Sequence, residues 1–444
     1  MTNNKFSGLT AQLKDKLIQQ AQERKLRHIE QGQSDADSRV GKIPEEHYKF
    51  HLHPSFQQLL ILNEGAKKLG VDNPYFKLHQ GVADATTQIS GQEYINFSSY
   101  NYLGLNGHPT VNAAAKAAID RYGTSVSASR PVSGERPIHQ ELEKAIADIY
   151  EVDSAVIFVS GHATNVTTIG HLFGNKDMII HDELIHNSIL QGALLSGARR
   201  LSFPHNDWAE LDNILKEQRH LFERVLIAVE GIYSMDGDYP DLPRFVEIRN
   251  KHKTFLMVDE AHSLGVMGKT GMGIREHFGL NGEDVDIWMG TFSKALAGCG
   301  GYIAGEHALV DHLKFLAPGF LYSVGMSPPL AAASLAALHC MQSEPERVTS
   351  LQKRSDLFLQ LAQSAGIDTG TSTGLAIVPA ILGSSLKAVK LSAALFKQGI
   401  NAQPIVYPAV PEKSARLRFF ISSQHTESQI NSTIEILASE LSRL

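Results

Sequence analysis

Cysteine is scarce in this chain of 444 residues: Cys299 and Cys340 are the two present, and they lie far apart. That excludes a disulfide framework and a four-thiolate zinc site, and it suits a reducing cytoplasm. A basic excess is also missing. Forty-one Lys and Arg face 47 Asp and Glu, a formal net charge of -6, so nothing in the balance is suited to neutralising a nucleic-acid backbone. Long apolar runs are absent too. The greasiest stretch, Leu330 to Met341, is interrupted by Ser334 and His339 and falls short of the roughly 18 residues that a membrane span requires. The opening MTNNKFSGLTAQLKDK has no apolar core of a signal peptide, so a cytoplasmic protein is expected. No repeat or low-complexity tract occurs. No G-x-G-x-x-G follows the first strand, which argues against a nicotinamide enzyme.

What remains is ordinary globular material, 43% apolar and 20% charged, enough for two or three domains at roughly 150 residues each. The spacing predicts a capped helix from Thr10, a loop over Ser34 to Glu46, and a second helix from Pro54 that stops at Gly70. From about Asp153, short β-branched runs alternate with helical stretches, the rhythm of an α/β sheet with crossover connections. Seven strands are expected: Ala155 to Val159, Asp177 to His181, Arg200 to Phe203, Val225 to Glu230, Phe255 to Asp259, Asp286 to Gly290 and Gly301 to Ala304. An alanine-rich helix should follow Pro328 and Pro329. Three more strands, Ala376 to Leu382, Gln403 to Tyr407 and Leu417 to Ser422, mark a smaller α+β domain. The expected division is a helical segment 1–95 belonging to the small domain, a large α/β domain over 96–330, and the small domain over 331–444.

Several segments carry chemistry. Ser160, Gly161 and His162 sit between a strand and a helix start, where free N–H groups and the helix dipole can seat a phosphate. Any strand-to-helix turn can contain a glycine, so this signal is weak alone. Asp259 ends an apolar strand, where open α/β sheets place ligand-binding groups, and a carboxylate there needs a partner such as a protonated pyridine nitrogen. His262 follows three residues on. Asp259, Glu260 and His262 could instead ligate a metal, but no second His or Cys cluster completes a shell, and no metal is expected. Lys294 stands just after a buried strand and before Gly298, Gly300 and Gly301. Held there, a lysine can lose its proton and attack an aldehyde, whereas a lone lysine at a helix start is ordinarily solvated. His186 could stack on a planar cofactor or be a satisfied core histidine. Arg416 and Arg418 alternate on one strand and therefore share a face, where one guanidinium could hold a carboxylate bidentately.

Taken together, NFSSYNYLGL, VSGERPIHQELE, FVSGHATN, DELIHNS, VEGIYSMDGD, VDEAHSLGV, GTFSKALAGCGG, LYSVGMSPP and ARLRFFIS resemble, in order, the motifs of the α-oxoamine synthases. These are pyridoxal-phosphate acyltransferases, and the resemblance runs from about Tyr94 to the C-terminus. It implies a fold-type I transferase: a large domain with a seven-stranded, mostly parallel sheet and a smaller α+β domain. By position it implies that Lys294 bonds the cofactor aldehyde as a Schiff base and moves the substrate α-proton. Asp259 would pair with the ring nitrogen, His262 with the ring hydroxyl oxygen, and His186 would stack on the ring. Gly161 and His162 amides would hold the phosphate with Thr291 and Ser293, and Ser234 would approach the cofactor. Arg418 would bind the amino-acid carboxylate, and Tyr100 and Asn101 belong to the motif that reaches the site across a dimer interface in the family. The pocket volume, which decides the amino acid and the acyl length, would depend on the side chains around Ser127, Ala128 and Ser129.

The implied reaction joins a small amino acid (glycine, alanine or serine) to an acyl thioester with decarboxylation, giving an α-aminoketone in a homodimeric enzyme. An aminotransferase and a non-catalytic partner subunit are the alternatives. His162 replaces the aromatic residue usual after Ser-Gly, and Val324 and Gly325 stand where many members carry a hydroxyl. The GTSVSASRPVSGERPIHQELE and YSVGMSPP segments and the long N-terminal segment resemble synthase domains attached to polyketide assembly lines, so the thioester is carried by CoA or by an acyl carrier protein.

Overall fold

A computed structural model describes residues 43–68 and 73–444. The chain forms two compact units, Met1–Asn73 and Pro74–Leu444. In the first, two short 3-10 turns, Glu45–His47 and Phe50–Leu52, precede the helix Pro54–Lys68. The helix expected from Thr10 lies outside the described residues, as does Gly70.

The second unit is built on three sheets. Its N-terminal strands β1 (His79–Gln80), β2 (Thr86–Ile89) and β3 (Gln92–Asn96) form an antiparallel ribbon. The central sheet contains β4 (Ser154–Phe158), β5 (Met178–Asp182), β6 (Arg199–Phe203), β7 (Val225–Glu230), β8 (Phe255–Asp259), β9 (Ile287–Thr291) and β10 (Gly301–Gly305), in the order β4-β10-β9-β8-β7-β5-β6. Six of these strands run the same way, and β10 alone is reversed between β4 and β9. A three-stranded antiparallel sheet holds β11 (Ile377–Ile381), β14 (Arg416–Phe420) and β13 (Gln403–Ile405). The short β12 (Ile400–Asn401) leaves that region to pair in parallel with β3. The segment expected as 1–95 is thus divided: residues 79–96 join β12, while Pro54–Lys68 belongs to the first unit.

The seven expected strands of the central sheet all form, within one residue of their expected ends. The reason is visible in β7, buried along its whole length. Val225, Ile227 and Val229 enter the core on one face, whereas Leu226 and Ala228 enter the core on the other, because successive side chains of a strand alternate. Each fully buried aliphatic side chain contributes about 1.5–3 kcal/mol, so two covered faces strongly specify register. The helix Pro137–Tyr150 covers one face with Leu142, Ile146 and Ala147, and Gly161–Leu172 covers the other through Ile169. The alanine-rich helix appears as Pro328–Ser343, opened by the two prolines, whose missing N–H groups are tolerated in a first turn.

Parallel strands end together, so β5, β7, β8 and β9 deliver Asp182, Glu230, Asp259 and Thr291 to one edge of the sheet. That edge is where the candidate site is built.

Candidate active site

Asp259 is the fixed point. Buried at the end of β8, it accepts a hydrogen bond from the Asn165 amide at 2.9 Å and another from the Ala261 N–H at 3.0 Å. Asn165 comes from the helix Gly161–Leu172 and was not singled out among the sequence candidates. Its second amide hydrogen goes to Ser188 Oγ at 2.8 Å, and the Ser188 hydroxyl donates to His186 Nδ1 at 2.7 Å. A single relay therefore connects the carboxylate to the imidazole and leaves the ring proton of His186 on Nε2. His186 caps the helix Asn187–Ser196 and stays exposed in the cleft. The surrounding protein still lowers its pKa through burial. The structure thus rules out the satisfied-core reading of His186.

Lys294 is half-buried after β9, and burial pushes its ammonium down to about 8 against the opposing pull of Asp259 and Glu230. Such an amine is partly free of its proton near neutrality, as a Schiff-base nucleophile must be. Its Nζ lies 5.7 Å from the centre of the Tyr100 ring of the same chain. His262 is buried, and its Nδ1 lies 2.7 Å from the hydroxyl of Tyr102, a fully buried side chain that the sequence reading did not assign. Burial takes the His262 pKa well below its ordinary value, with Lys294 and Arg418 adding to the effect. The imidazole is therefore neutral, and Nε2 is the nitrogen left for a ligand. Glu260, weighed as a metal ligand with Asp259 and His262, turns instead to the Ile274 N–H and the Ser263 hydroxyl.

The turn expected to seat a phosphate has free backbone donors. Ser160 caps the helix from Gly161 by accepting from the Ala163 N–H, and the Gly161 and His162 N–H groups have no partner among the described residues. A Cβ at Gly161 would stand 2.8 Å from Thr291 Oγ1, so glycine is what keeps this cradle open. Thr291 Oγ1 in turn donates to the Gly300 carbonyl at 2.8 Å, with Ser293 Oγ at 3.2 Å. His162, the departure from the usual aromatic, lies edge-on to His186 with ring centres 6.5 Å apart.

The opposite wall comes from β14. Arg416 and Arg418 do share a face, and both reach the loop after β7. Arg416 is consumed there by Asp236 at 2.6 Å and the Met235 carbonyl at 3.0 Å. Arg418 donates through Nη1 to the Ser234 carbonyl at 2.9 Å, lies over the Phe420 ring at 4.4 Å, and keeps a buried Nε without a partner. Arg418 is thus the arginine with donors to spare. Ser234 enters through its carbonyl on Arg418. Asn101 borders the pocket beside Lys294, and its amide donates to the Ala83 carbonyl and accepts from the Asn106 N–H.

Glu230, at the end of β7 and paired in register with Asp259, is a further member that sequence reasoning missed. Burial and the neighbouring Asp259 push its pKa far up, and its Oε1 has no partner. The residues present fit pyridoxal phosphate: an amine of lowered pKa, a braced carboxylate, unpartnered first-turn amides, a glycine cradle, and the partnerless buried atoms Asn165 Oδ1 and Glu230 Oε1.

Comparison with known proteins agrees. Residues 92–437 match the aminotransferase class I and II family. The 8-amino-7-oxononanoate synthase of Symbiobacterium thermophilum is 39% identical over 374 residues, covering 84% of this chain and 95% of that protein. The enzyme of the same name from Fervidobacterium nodosum is 41% identical over 350 residues, covering 78% and 88%. Among solved structures, a serine palmitoyltransferase variant from S. paucimobilis with bound PLP-myriocin superposes with a TM-score of 0.84 at 28% identity, over 88% of this chain and 98% of that one. The 8-amino-7-oxononanoate synthase of Francisella tularensis gives 0.70 at 26% identity, over 79% and 98%. Site geometry, fold and these likenesses converge on one assignment: the chain belongs to the α-oxoamine synthases, the pyridoxal-phosphate-dependent acyltransferases of the class I and II aminotransferase fold.

Proposed function

We propose that this enzyme joins glycine, alanine or serine to an acyl thioester, releasing carbon dioxide and the free thiol and yielding an α-aminoketone. The observation that carries this reading is the meeting of Lys294, Asp259, His262 and His186 at one sheet edge, with Arg418 on the facing wall. Bound pyridoxal phosphate would supply the electron sink that makes an α-proton of the amino acid acidic. Lys294 would hold the cofactor and then carry that proton on Nζ, a role suited to an amine whose pKa is near 8. Asp259 would face the ring nitrogen, held in place by Asn165 and the Ala261 N–H, and neutral His262 would meet the ring hydroxyl oxygen through Nε2. His186, oriented by Ser188, would cover the ring face. Gly161, His162 and Thr291 would hold the phosphate. Arg418 would take the substrate carboxylate and so set which bond of the amino acid is presented for cleavage.

The acyl donor is a CoA or carrier-protein thioester. A homodimer is part of this reading: Val132, Phe315, Leu316, Tyr322 and Val324 are exposed on neighbouring segments, and apolar surface of that kind favours a protein partner. No helix among the described residues is long and apolar enough to cross a membrane, and the free Cys299 and Cys340 suit the cytoplasmic location we assign.

A mass-spectrometric screen of glycine, alanine and serine against acyl-CoA and acyl-carrier-protein donors tests the proposal. The expected product has the mass of the amino acid plus the acyl thioester less carbon dioxide and the free thiol, with thiol released in equal amount. Transfer of the amino group to a keto acid without thiol release would make the protein an aminotransferase. Bound cofactor with no turnover of any pair would make it a partner subunit.

A further inference from the structure

Outside the site just described, His205 stands between two carboxylates. Its Nδ1 is 2.9 Å from Asp182 Oδ1 and its Nε2 is 2.9 Å from Asp238 Oδ2. Carboxylates only accept, so both ring nitrogens must carry hydrogen and the ring is a cation. Burial opposes the charge, but the two acidic partners hold the His205 pKa up at about 10. The Tyr233 ring meets it edge-on at 4.6 Å, and Glu183 accepts from the His205 backbone N–H at 3.0 Å.

The two acids belong to different elements. Asp182 ends β5 and is also held by the Leu184 and Asn206 N–H groups. Asp238 lies four residues beyond Ser234, in the loop that receives both arginines of β14. Every residue of that loop is tied down on one side or the other. Ser234 takes Arg418, Met235 and Asp236 take Arg416, the Gly237 carbonyl takes the Thr373 N–H and hydroxyl, and Asp238 takes Thr371 at 2.6 Å as well as His205. Gly237 has φ +74°, and a Cβ there would stand 2.1 Å from the Ile377 carbonyl of β11, so the loop lies hard against that strand. On the side of the central sheet, His205 is the side chain that bridges this loop to β5.

We propose that His205 is a positioning residue for substrate selection: by bridging Asp182 and Asp238 it fixes the loop over 234–238, and through the Ser234 carbonyl it sets the guanidinium of Arg418 where the amino-acid carboxylate binds. The inference rests on the reading of Arg418 given above. Losing the bridge removes the side-chain tie between this loop and β5 while leaving Lys294, Asp259 and the turn at Gly161 intact, so the consequence falls on amino-acid binding.

The test compares H205A and D238N with wild type and R418A, all loaded with pyridoxal phosphate. Glycine, L-alanine and L-serine are titrated by following the spectral change of the bound cofactor, and steady-state constants are measured for both substrates. The amino-acid Kd is expected to rise about tenfold in H205A and in D238N, with the thioester KM within about twofold of wild type and the cofactor spectrum before titration unchanged. D238N keeps the side-chain shape but offers the imidazolium a neutral, weaker acceptor than the carboxylate, and it decides the question if H205A does not fold. Unchanged amino-acid affinity in a folded variant, with or without lowered thermal stability, overturns the inference, and so does an equal loss in every constant. If R418A also binds amino acid normally, the reading of Arg418 falls; if R418A is weakened and the other two are not, the clamp alone falls.

Discussion

At the scale of single residues, the site depends on protonation states set by burial. Lys294 is the clearest case. Its pKa of about 8 means that the free amine, the form that attacks an aldehyde, grows tenfold per pH unit below that value and saturates above it. Cofactor loading into apoprotein should therefore accelerate from pH 6 to 8 and level off beyond, measured as the rate of appearance of the bound-cofactor absorbance; a rate independent of pH across that range would contradict it. Tyr102 offers a second test. Its hydroxyl is the partner of His262 Nδ1 in a fully buried setting, so Tyr102→Phe should leave that nitrogen unsatisfied. The expected cost is about 1–3 kcal/mol in chemical denaturation, and no measurable loss would show that His262 finds another partner.

At the scale of elements, glycines and strand ends do the placing. The turn from β4 into the helix at Gly161 works because no side chain fills the space before Thr291. Gly161→Ala should weaken pyridoxal phosphate binding about tenfold in equilibrium dialysis while the protein stays folded, since the obstructing atom is a small side chain that can move. Retained affinity would mean that the phosphate sits elsewhere. The strands themselves were legible from sequence because a doubly covered strand is apolar throughout, and its end falls where polar residues resume: Asp259 after Met257 and Val258, Glu230 after Val229. What was not legible are contacts without a local pattern. Asn165 belonged to a recognised motif, and its only sequence signal was a run of polar residues, Thr164, Asn165 and Thr168, on the buried face of a helix. The pairing of β3 with β12 brings Asn96 against Asn401, 305 residues apart, and nothing in either short strand announces the other.

At the scale of the whole molecule, charge networks tie the sheets of the second unit together, and they carry a pH signature. His205 faces Asp182, Asp238 and, through its backbone, Glu183. Its pKa is raised on folding, so its contribution to stability is full below its unfolded value near 6.5 and is lost as pH rises toward about 10. The difference in Tm between wild type and H205A should accordingly be a few degrees at pH 6.5 and shrink by pH 10; a constant difference would mean that the ring is neutral in the fold. Sequence could not foresee this bridge, because Asp182, His205 and Asp238 meet only after three separate strand-to-loop transitions. It could foresee the candidate site's main members, since Asp259 ends β8, His186 precedes a helix, and His262 and Lys294 lie three residues beyond the ends of β8 and β9, where an open α/β sheet exposes side chains.

The Lys294 amine is the proposed point of covalent attachment for pyridoxal phosphate. Borohydride reduction of the holoenzyme followed by peptide mass spectrometry tests it directly. The expected result is a pyridoxyl-phosphate mass increment on the peptide containing Lys294 and its loss, with the visible absorbance, in Lys294→Ala. An unmodified Lys294 peptide, or a label on another lysine, would contradict it.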